Sequence, residues 1–104
     1  MNATASPSPR TRLVQMFEQV VLPKNSTRIP DFYTPDFELH TNGHSQGYAD
    51  FLRGHEQVYA TGIRSAVRYD EASWVESDAR VAVRMWITTR RPGEAANEIE
   101  VMLI

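Results

Sequence analysis

The chain has 104 residues, a formal net charge of −2 and a sequence pI near 5.9, enough for one domain with a modest core. Hydrophobic residues make up 41% and charged residues 23%, which is an ordinary globular composition. Arg10, Arg12 and the pair Arg90–Arg91 are local charges without a basic stripe, so nucleic acid is not expected as the main partner. The sequence contains no cysteine, which excludes disulfides, thiolate chemistry and cysteine-ligated metals.

Neither a signal peptide nor a membrane-spanning segment is expected from the sequence. No apolar run approaches the roughly 20 residues that a membrane-spanning helix needs, so no membrane partner is expected. Residues 1–8 are polar and proline-rich, without the hydrophobic segment of a signal peptide, and are predicted to form a disordered tail. Residues 9–104 are then expected to form a single domain, with the cytoplasm as its default location.

The first helix is predicted from Pro9 to Pro23. Ser8 is a typical helix cap, and Pro9 suits the first turn. The apolar positions that follow recur at helical spacing, namely Leu13, Phe17, Val20 and Val21. Ser26 is predicted to cap a second, short helical turn, which ends at Thr34-Pro35.

A short strand and a second long helix are predicted next. Phe37–Thr41 has the pattern of a strand, and Asn42-Gly43 is a turn pair that closes it. The helix begins at Tyr48 and ends before Gly62. Its apolar stripe is the cleanest periodicity in the chain and comprises Tyr48, Phe51, Leu52, His55, Val58 and Tyr59.

Beyond Gly62 the hydrophobic period changes to two, which predicts strands. Ile63–Val75 alternates imperfectly, Arg80–Thr89 alternates well, and Glu98–Ile104 forms a final strand. Turns are predicted at Ser77-Asp78 and Pro92-Gly93. Helices followed by an antiparallel meander predict an α+β domain with its helices on one face of a curved sheet.

This order of elements resembles the nuclear transport factor 2-like superfamily, which includes SnoaL-like polyketide cyclases and ketosteroid isomerases. The resemblance covers nearly the whole chain after the tail, and the segments that carry it are Phe32-Tyr33, Pro35-Asp36-Phe37, Leu39-His40-Thr41-Asn42-Gly43, Tyr48–Tyr59 and Glu98–Ile104. It implies a cystatin-like cone, in which N-terminal helices lean on a strongly curved antiparallel sheet around an apolar cavity. It also implies a homodimer that pairs through the outer face of the sheet.

The end of the chain departs from the superfamily pattern. Members usually continue through another turn and strand after the segment that resembles Glu98–Ile104. The domain is therefore expected to lack a final strand, either because the chain is truncated or because that strand is supplied otherwise. An unpaired apolar edge would favour aggregation, so we expect it to be covered by the fold or by a partner chain.

His40 is the first candidate catalytic residue. The isomerases that the chain resembles use an aspartate three residues before a glycine as general base, and His40 has that spacing to Gly43. A histidine can serve as a base near neutral pH. In a regular strand, however, His40 would lie on the face opposite Phe37 and Leu39, where it could equally be a structural histidine at the sheet edge.

Glu100 and Tyr33 are the other two candidate catalytic residues. The strand of Glu100 resembles the isomerase strand that bears a protonated acid, which implies a role in stabilising an enolate. Alternatively, Glu100 is solvated and pairs with Arg84 or Arg90 across the strands. Tyr33 could donate a hydrogen bond to a developing oxyanion, or pack in the core.

The remaining candidates are assigned to ligand binding. His55 lies at the centre of the helix stripe, either as a polar group on the cavity wall or as a core histidine with a backbone or tyrosine partner. The other candidate ligand-binding residues are Tyr48, Tyr59, Trp86 and Asn42.

No cofactor or metal is expected. His40 and His44 are four residues apart, but across a turn and not on one helix face, and the sequence has no glycine-rich phosphate loop. The first hypothesis is therefore a protein that holds a small apolar or aromatic molecule, with cofactor-free proton transfer of the isomerase or cyclase type if it is an enzyme. The second is a non-catalytic ligand-binding or dimeric interaction module of the same fold.

Overall fold

The structure, a computed structural model, describes residues 7–104. The predicted disordered tail, residues 1–8, lies outside the described residues except for Pro7 and Ser8. Helix α1 spans Pro9–Met16, and Ser8 Oγ accepts a hydrogen bond from the Thr11 N–H at 3.2 Å. The predicted start of the first helix is confirmed, because a serine cap and a proline in the first turn satisfy or remove N–H groups that would lack partners.

The first helix continues through a wider, π-helical turn at Phe17–Val21. The N–H of Leu22 donates to the Phe17 carbonyl and that of Asn25 to the Val20 carbonyl, both at 2.9 Å and both across five residues. Phe17 packs into a cluster with Val83 and Met85, whereas Val20 packs into a second cluster with Ile29 and Phe51. One helix therefore closes two separate parts of the core.

A short 3-10 helix follows at Ser26–Asp31. Its cap is Asn25, whose side-chain oxygen accepts from the Thr27 N–H at 3.3 Å. The prediction of Ser26 as the cap was wrong by one residue, since an asparagine side chain can reach the N–H group two residues further along. Ile29 anchors this turn and is fully buried.

Strands β1, Glu38–Thr41, and β2, His44–Gly47, form an antiparallel hairpin. The predicted turn Asn42-Gly43 joins them, with φ angles of 49° and 80°. Positive φ at both central residues is the geometry of the tight hairpin turn that Asn-Gly favours. Strand β2 was not predicted, because His-Ser-Gln-Gly contains no strong β-former.

Helix α2 spans Tyr48–Tyr59, as the apolar stripe predicts. Phe51 is its buried residue and packs with Val20 and Ile29. Among residues 7–104, no helix is long and apolar enough to cross a membrane.

The larger sheet has four strands arranged around β5, Val81–Arg90, which pairs antiparallel with the other three. These are β3, Arg64–Tyr69; β4, Val75–Glu76; and β6, Asn97–Leu103. The single strand predicted over Ile63–Val75 is instead broken into β3 and β4. The break is held by Arg84, whose carbonyl accepts from the Asp70 N–H and whose N–H donates to Ser73 Oγ, both at 2.9 Å.

The two faces of this sheet differ in character. The inner face carries Val83 and Met85, both fully buried against Phe17. The outer face carries charged and aromatic side chains, among them Arg68, Arg84, Trp86, Glu98 and Glu100. The α+β class predicted from the sequence is confirmed: three helices pack on antiparallel sheets.

Candidate functional site

Five rings from three segments pack together and form what we call the aromatic cluster: Tyr33, Phe37, Phe51, His55 and Tyr59. The rings of Tyr33, Phe37 and Phe51 lie 4.7–4.9 Å apart between centroids. Along α2, Phe51, His55 and Tyr59 follow at four-residue spacing, so they lie on one helix face. The helical period of the sequence thus brings two polar rings into an apolar neighbourhood.

The imidazole of His55 is held in one orientation. Its Nδ1 lies 2.8 Å from the carbonyl oxygen of Phe51, one turn back in the helix. A carbonyl can only accept a hydrogen bond, so Nδ1 carries the proton. In the neutral ring, Nε2 then has a free lone pair that can accept a hydrogen bond or a proton. The ring also packs on Phe51, with centroids 4.1 Å apart.

Two tyrosines give the aromatic cluster its hydrogen-bond donors. The Tyr59 hydroxyl is buried and has no hydrogen-bond partner within residues 7–104. Burial, with a smaller contribution from Tyr59, raises the pKa of Tyr33 from 10.0 to about 12, and burial also raises the pKa of Tyr59. Both hydroxyls therefore keep their protons at neutral pH and act as neutral donors.

His40 lies elsewhere, on the β1–β2 hairpin. It is exposed, and its Nδ1 is 2.8 Å from Ser45 Oγ, the residue opposite it in the hairpin. Leu39, its neighbour in the strand, is the residue that packs with the helices. His40 therefore points away from the aromatic cluster, since successive strand residues alternate between faces. Asn42, in the hairpin turn, is also exposed.

Glu100 and Trp86 lie on the outer face of the larger sheet, directly opposite one another in β6 and β5. Glu100 Oε1 accepts from Arg84 Nε at 2.5 Å, which is the cross-strand pairing considered as the alternative for this residue. Two guanidinium groups approach the ring of Trp86, those of Arg68 at 3.9 Å and Arg84 at 5.0 Å from its centroid. Both residues are thus engaged in a surface network of charge and cation–π contacts.

The structure divides the sequence-predicted site residues into three groups: Tyr33, Tyr48, His55 and Tyr59 beside one another in the helix-side core; His40 and Asn42 on the hairpin; Trp86 and Glu100 on the outer sheet face. The three candidate catalytic residues, His40, Tyr33 and Glu100, fall one into each group. Their catalytic roles stay predictions, and the aromatic cluster is the place where several candidates meet.

Sequence reasoning missed one site. An open cleft of about 590 Å³ contains three arginines, Arg64, Arg90 and Arg91. The sequence places only Arg90 and Arg91 next to each other. Arg64 comes close to them through the pairing of β3 with β5, which no local sequence pattern reveals. Within the described part of the chain, no group of three histidine, aspartate or glutamate side chains is placed to hold a metal ion.

Comparison with known proteins does not add an identity. No family model matches the chain, and no curated protein matches it. The class of protein is therefore defined by the fold and the site: an α+β domain with a polar aromatic cluster beneath α2 and an arginine-lined cleft at one end of its sheet.

Proposed function

We propose that this chain is a nuclear transport factor 2-like, SnoaL-like domain that binds a small apolar or aromatic molecule at the aromatic cluster. The observation that carries the proposal is the Tyr59 hydroxyl, which is buried without a partner among residues 7–104. Buried polar groups in native proteins are nearly always hydrogen-bonded, so a carbonyl or hydroxyl of a ligand would complete the site.

The neighbouring groups support a ligand with both apolar and polar parts. Phe37 and Phe51 supply apolar contact area, and Tyr33 supplies a second neutral donor. His55 supplies an acceptor at Nε2 in a fixed orientation. A small molecule with an aromatic or fused-ring body and a carbonyl or hydroxyl group matches this set.

We also propose that the inner face of the larger sheet supplies an apolar wall for the same ligand. Burial decreases along this face, from Val83 and Met85, which are fully buried, to Ile99, which is 48% exposed. The uncovered end is consistent with the mouth of the cone that the superfamily resemblance implies. We therefore propose that the ligand enters between helix α2 and this end of the sheet.

A binding experiment tests this function with matched variants. A panel of steroid-like and aromatic polyketide-like ligands is titrated by intrinsic fluorescence and calorimetry. Tyr59→Phe removes one hydroxyl and His55→Leu removes the acceptor, and each should weaken binding about tenfold. His40→Ala and Glu100→Gln are controls on other surfaces and should bind like the unmodified protein.

The opposite pattern would overturn the proposal. If His40→Ala or Glu100→Gln abolished binding while Tyr59→Phe and His55→Leu retained it, the ligand would lie outside the aromatic cluster. Absence of binding across the panel, with all variants equally stable, would favour the non-catalytic interaction module instead.

Cofactor-free proton transfer is a second candidate function, favoured by one observation. The rings of His55 and Tyr59 lie 5.5 Å apart between centroids, so a base and a neutral phenol are neighbours in the aromatic cluster. Isomerase-like or cyclase-like turnover would appear as deuterium exchange at the carbon next to a bound ketone. Exchange that is lost in His55→Leu but kept in His40→Ala would place the base in the aromatic cluster; exchange lost only in His40→Ala would restore His40 as the base.

Dimerisation through the sheet is a further part of the proposal. Val75 and Met102 lie on the outer face and are 66% and 60% exposed, so they are available to a partner's sheet. Sedimentation of the purified protein should show a dimer, and Met102→Glu should shift it to a monomer. A monomer at all concentrations would exclude this assembly.

A further inference from the structure

We propose that the cleft lined by Arg64, Arg90 and Arg91 binds a small molecule that carries a phosphate ester or diphosphate group. The cleft lies where the end of β5 meets the start of β3, and the turn after β5 forms its other wall. It shares no residue with the aromatic cluster. The two proposed sites can therefore be tested by separate experiments.

The pairing of β3 with β5 produces an uncompensated concentration of charge. Arg64 and Arg90 lie directly opposite each other on the outer face of the sheet. Like charges at directly opposed positions are destabilising, so an anion bound between them would stabilise the fold. Arg91 adds a third positive charge to the same cleft.

The same sheet face compensates its other arginines from within the chain. Arg84 pairs with Glu100 at 2.5 Å, and Arg68 approaches Glu98 at 3.9 Å. Within residues 7–104, Arg64, Arg90 and Arg91 make no ion pair. No carboxylate of residues 7–104 lies within ion-pairing distance of these three arginines, which favours an external anion as their partner.

The walls of the cleft are fixed by local backbone geometry. The Glu94 N–H donates to the Arg91 carbonyl at 3.0 Å, which closes a turn with Pro92 and Gly93 at its centre. Gly93 has a φ of 76°, a conformation that glycine adopts without strain. Gly62 approaches Pro92 so closely that a Cβ at position 62 would lie 2.7 Å from Pro92 Cγ. The segment before β3 and the turn after β5 are thus held in contact beside the three arginines.

The size and charge of the cleft define the class of ligand. Its volume of about 590 Å³ is in the range of small-molecule sites and exceeds what a lone phosphate ion needs. Three arginines and Glu94 line it, which leaves a net charge of +2 (3 − 1). Guanidinium groups bind phosphate oxygens through two parallel hydrogen bonds, so a phosphate ester or diphosphate fits better than a single carboxylate.

Calorimetry with pyrophosphate as the probe tests the assignment on the full chain. Arg64→Ala and Arg90→Ala should each weaken binding about tenfold. Arg80→Ala is the matched control, because Arg80 is also exposed and without an ion pair among the described residues but lies at another turn. Glu94→Gln removes the opposing charge and should tighten binding about threefold, an effect that lost stability cannot imitate.

Further binding measurements identify the source of the phosphate group. Binding to phosphatidylcholine vesicles is compared with and without a phosphoinositide, which distinguishes a lipid headgroup from a free phosphate ester. Either source supports a phosphate-binding cleft, provided that Arg90→Ala abolishes the binding. Because the arginines are exposed, binding should weaken as salt is raised. No pyrophosphate or phosphoinositide binding at millimolar ligand, or equal binding by the unmodified protein and Arg90→Ala, would overturn the proposal. Tighter binding to a single-stranded oligonucleotide than to either probe would also overturn it, in favour of nucleic acid.

Discussion

Tyr59 ends helix α2 with its hydroxyl buried and without a partner in the described residues, although its ring packs edge-on against His55 at 5.5 Å between centroids. A buried hydroxyl without a hydrogen bond destabilises the folded state, because the group loses its contacts with water on folding. The packing of the ring and the position of the hydroxyl therefore act in opposite directions on stability.

Replacing Tyr59 with phenylalanine should consequently leave stability unchanged or raise it by up to about 1 kcal/mol. The ring and its packing are kept, and only the hydroxyl is removed. Urea unfolding followed by circular dichroism measures the difference in free energy of unfolding. A loss of more than about 1 kcal/mol would mean that the hydroxyl has a partner in the folded protein, and the main support for a ligand at the aromatic cluster would disappear.

We expect the raised pKa of Tyr33 to cause a loss of stability at alkaline pH. Its pKa in the folded protein is about 12, above the ordinary value of 10.0, so between these values the folded state holds a proton that the unfolded state has released. Stability contributed by this group is complete below pH 10 and is lost as the pH rises through about 12, by about 3 kcal/mol in total. Absorbance titration of tyrosinate gives the pKa, and urea unfolding at several pH values gives the stability.

The variant Tyr33→Phe separates this contribution from those of Tyr59 and Tyr69, whose pKa values burial also raises. It should show a smaller decrease in stability between pH 10 and pH 12 than the unmodified protein does. An identical decrease in both proteins would show that Tyr33 titrates with an ordinary pKa and is not buried as described.

At the scale of secondary-structure elements, two glycines offer a matched pair of substitutions. Gly54 lies inside α2, and a Cβ there would meet nothing within 4 Å. Gly62 follows the same helix, and a Cβ there would lie 2.7 Å from Pro92 Cγ. Gly54→Ala should therefore raise stability by about 0.5–1 kcal/mol, because alanine is the better helix former.

Gly62→Ala should instead lower stability by about 1 kcal/mol, because the Pro92 turn must move away. Thermal melting of both variants measures the two changes, and pyrophosphate titration of Gly62→Ala reports whether the arginine cleft moves with the turn. Equal effects of the two substitutions would show that the contact between Gly62 and Pro92 is not formed in solution.

Elements with local signals were predictable from the sequence. The period of the apolar stripe defined α2 at Tyr48–Tyr59, and the pair Asn42-Gly43 defined the hairpin turn, because each signal is contained in a few neighbouring residues. Strand β2 and the break between β3 and β4 were missed. Strand β2 was missed because His-Ser-Gln-Gly contains no strong β-former. The break depends on a strand further along the chain, as the bonds of Arg84 to Asp70 and Ser73 illustrate.

The candidate site was predictable to a similar extent. His55 and Tyr59 were found because helical spacing places them on one face of α2. The placement of Glu100 beside Arg84, and of Arg64 beside Arg90, follows from strand register. Register is set by the hydrophobic faces of whole strands and by turn geometry, so no single motif revealed it.

At the scale of the whole molecule, the first helix joins two clusters of buried side chains. One lies against the inner face of the sheet around Val83 and Met85, and the other lies among the helices around Ile29 and Phe51. Met16 and other side chains of the first helix pack against both. Folding of the two halves is therefore coupled through this helix, and we expect a single cooperative transition, as small domains usually show.

Two spectroscopic signals can follow the halves separately. Trp74 and Trp86 report on the sheet by fluorescence, and the aromatic cluster contributes to near-ultraviolet circular dichroism. Their urea midpoints should coincide in the unmodified protein.

Met16→Ala should lower both midpoints together, at a cost of about 1–2 kcal/mol, because Met16 packs against both clusters and is half-buried. Leu52→Ala, which removes contacts in the helix-side cluster alone, is the matched control and should also shift both signals together if the halves are coupled. Separate midpoints in either variant would show that the sheet and the helices unfold independently, and that the first helix does not link them.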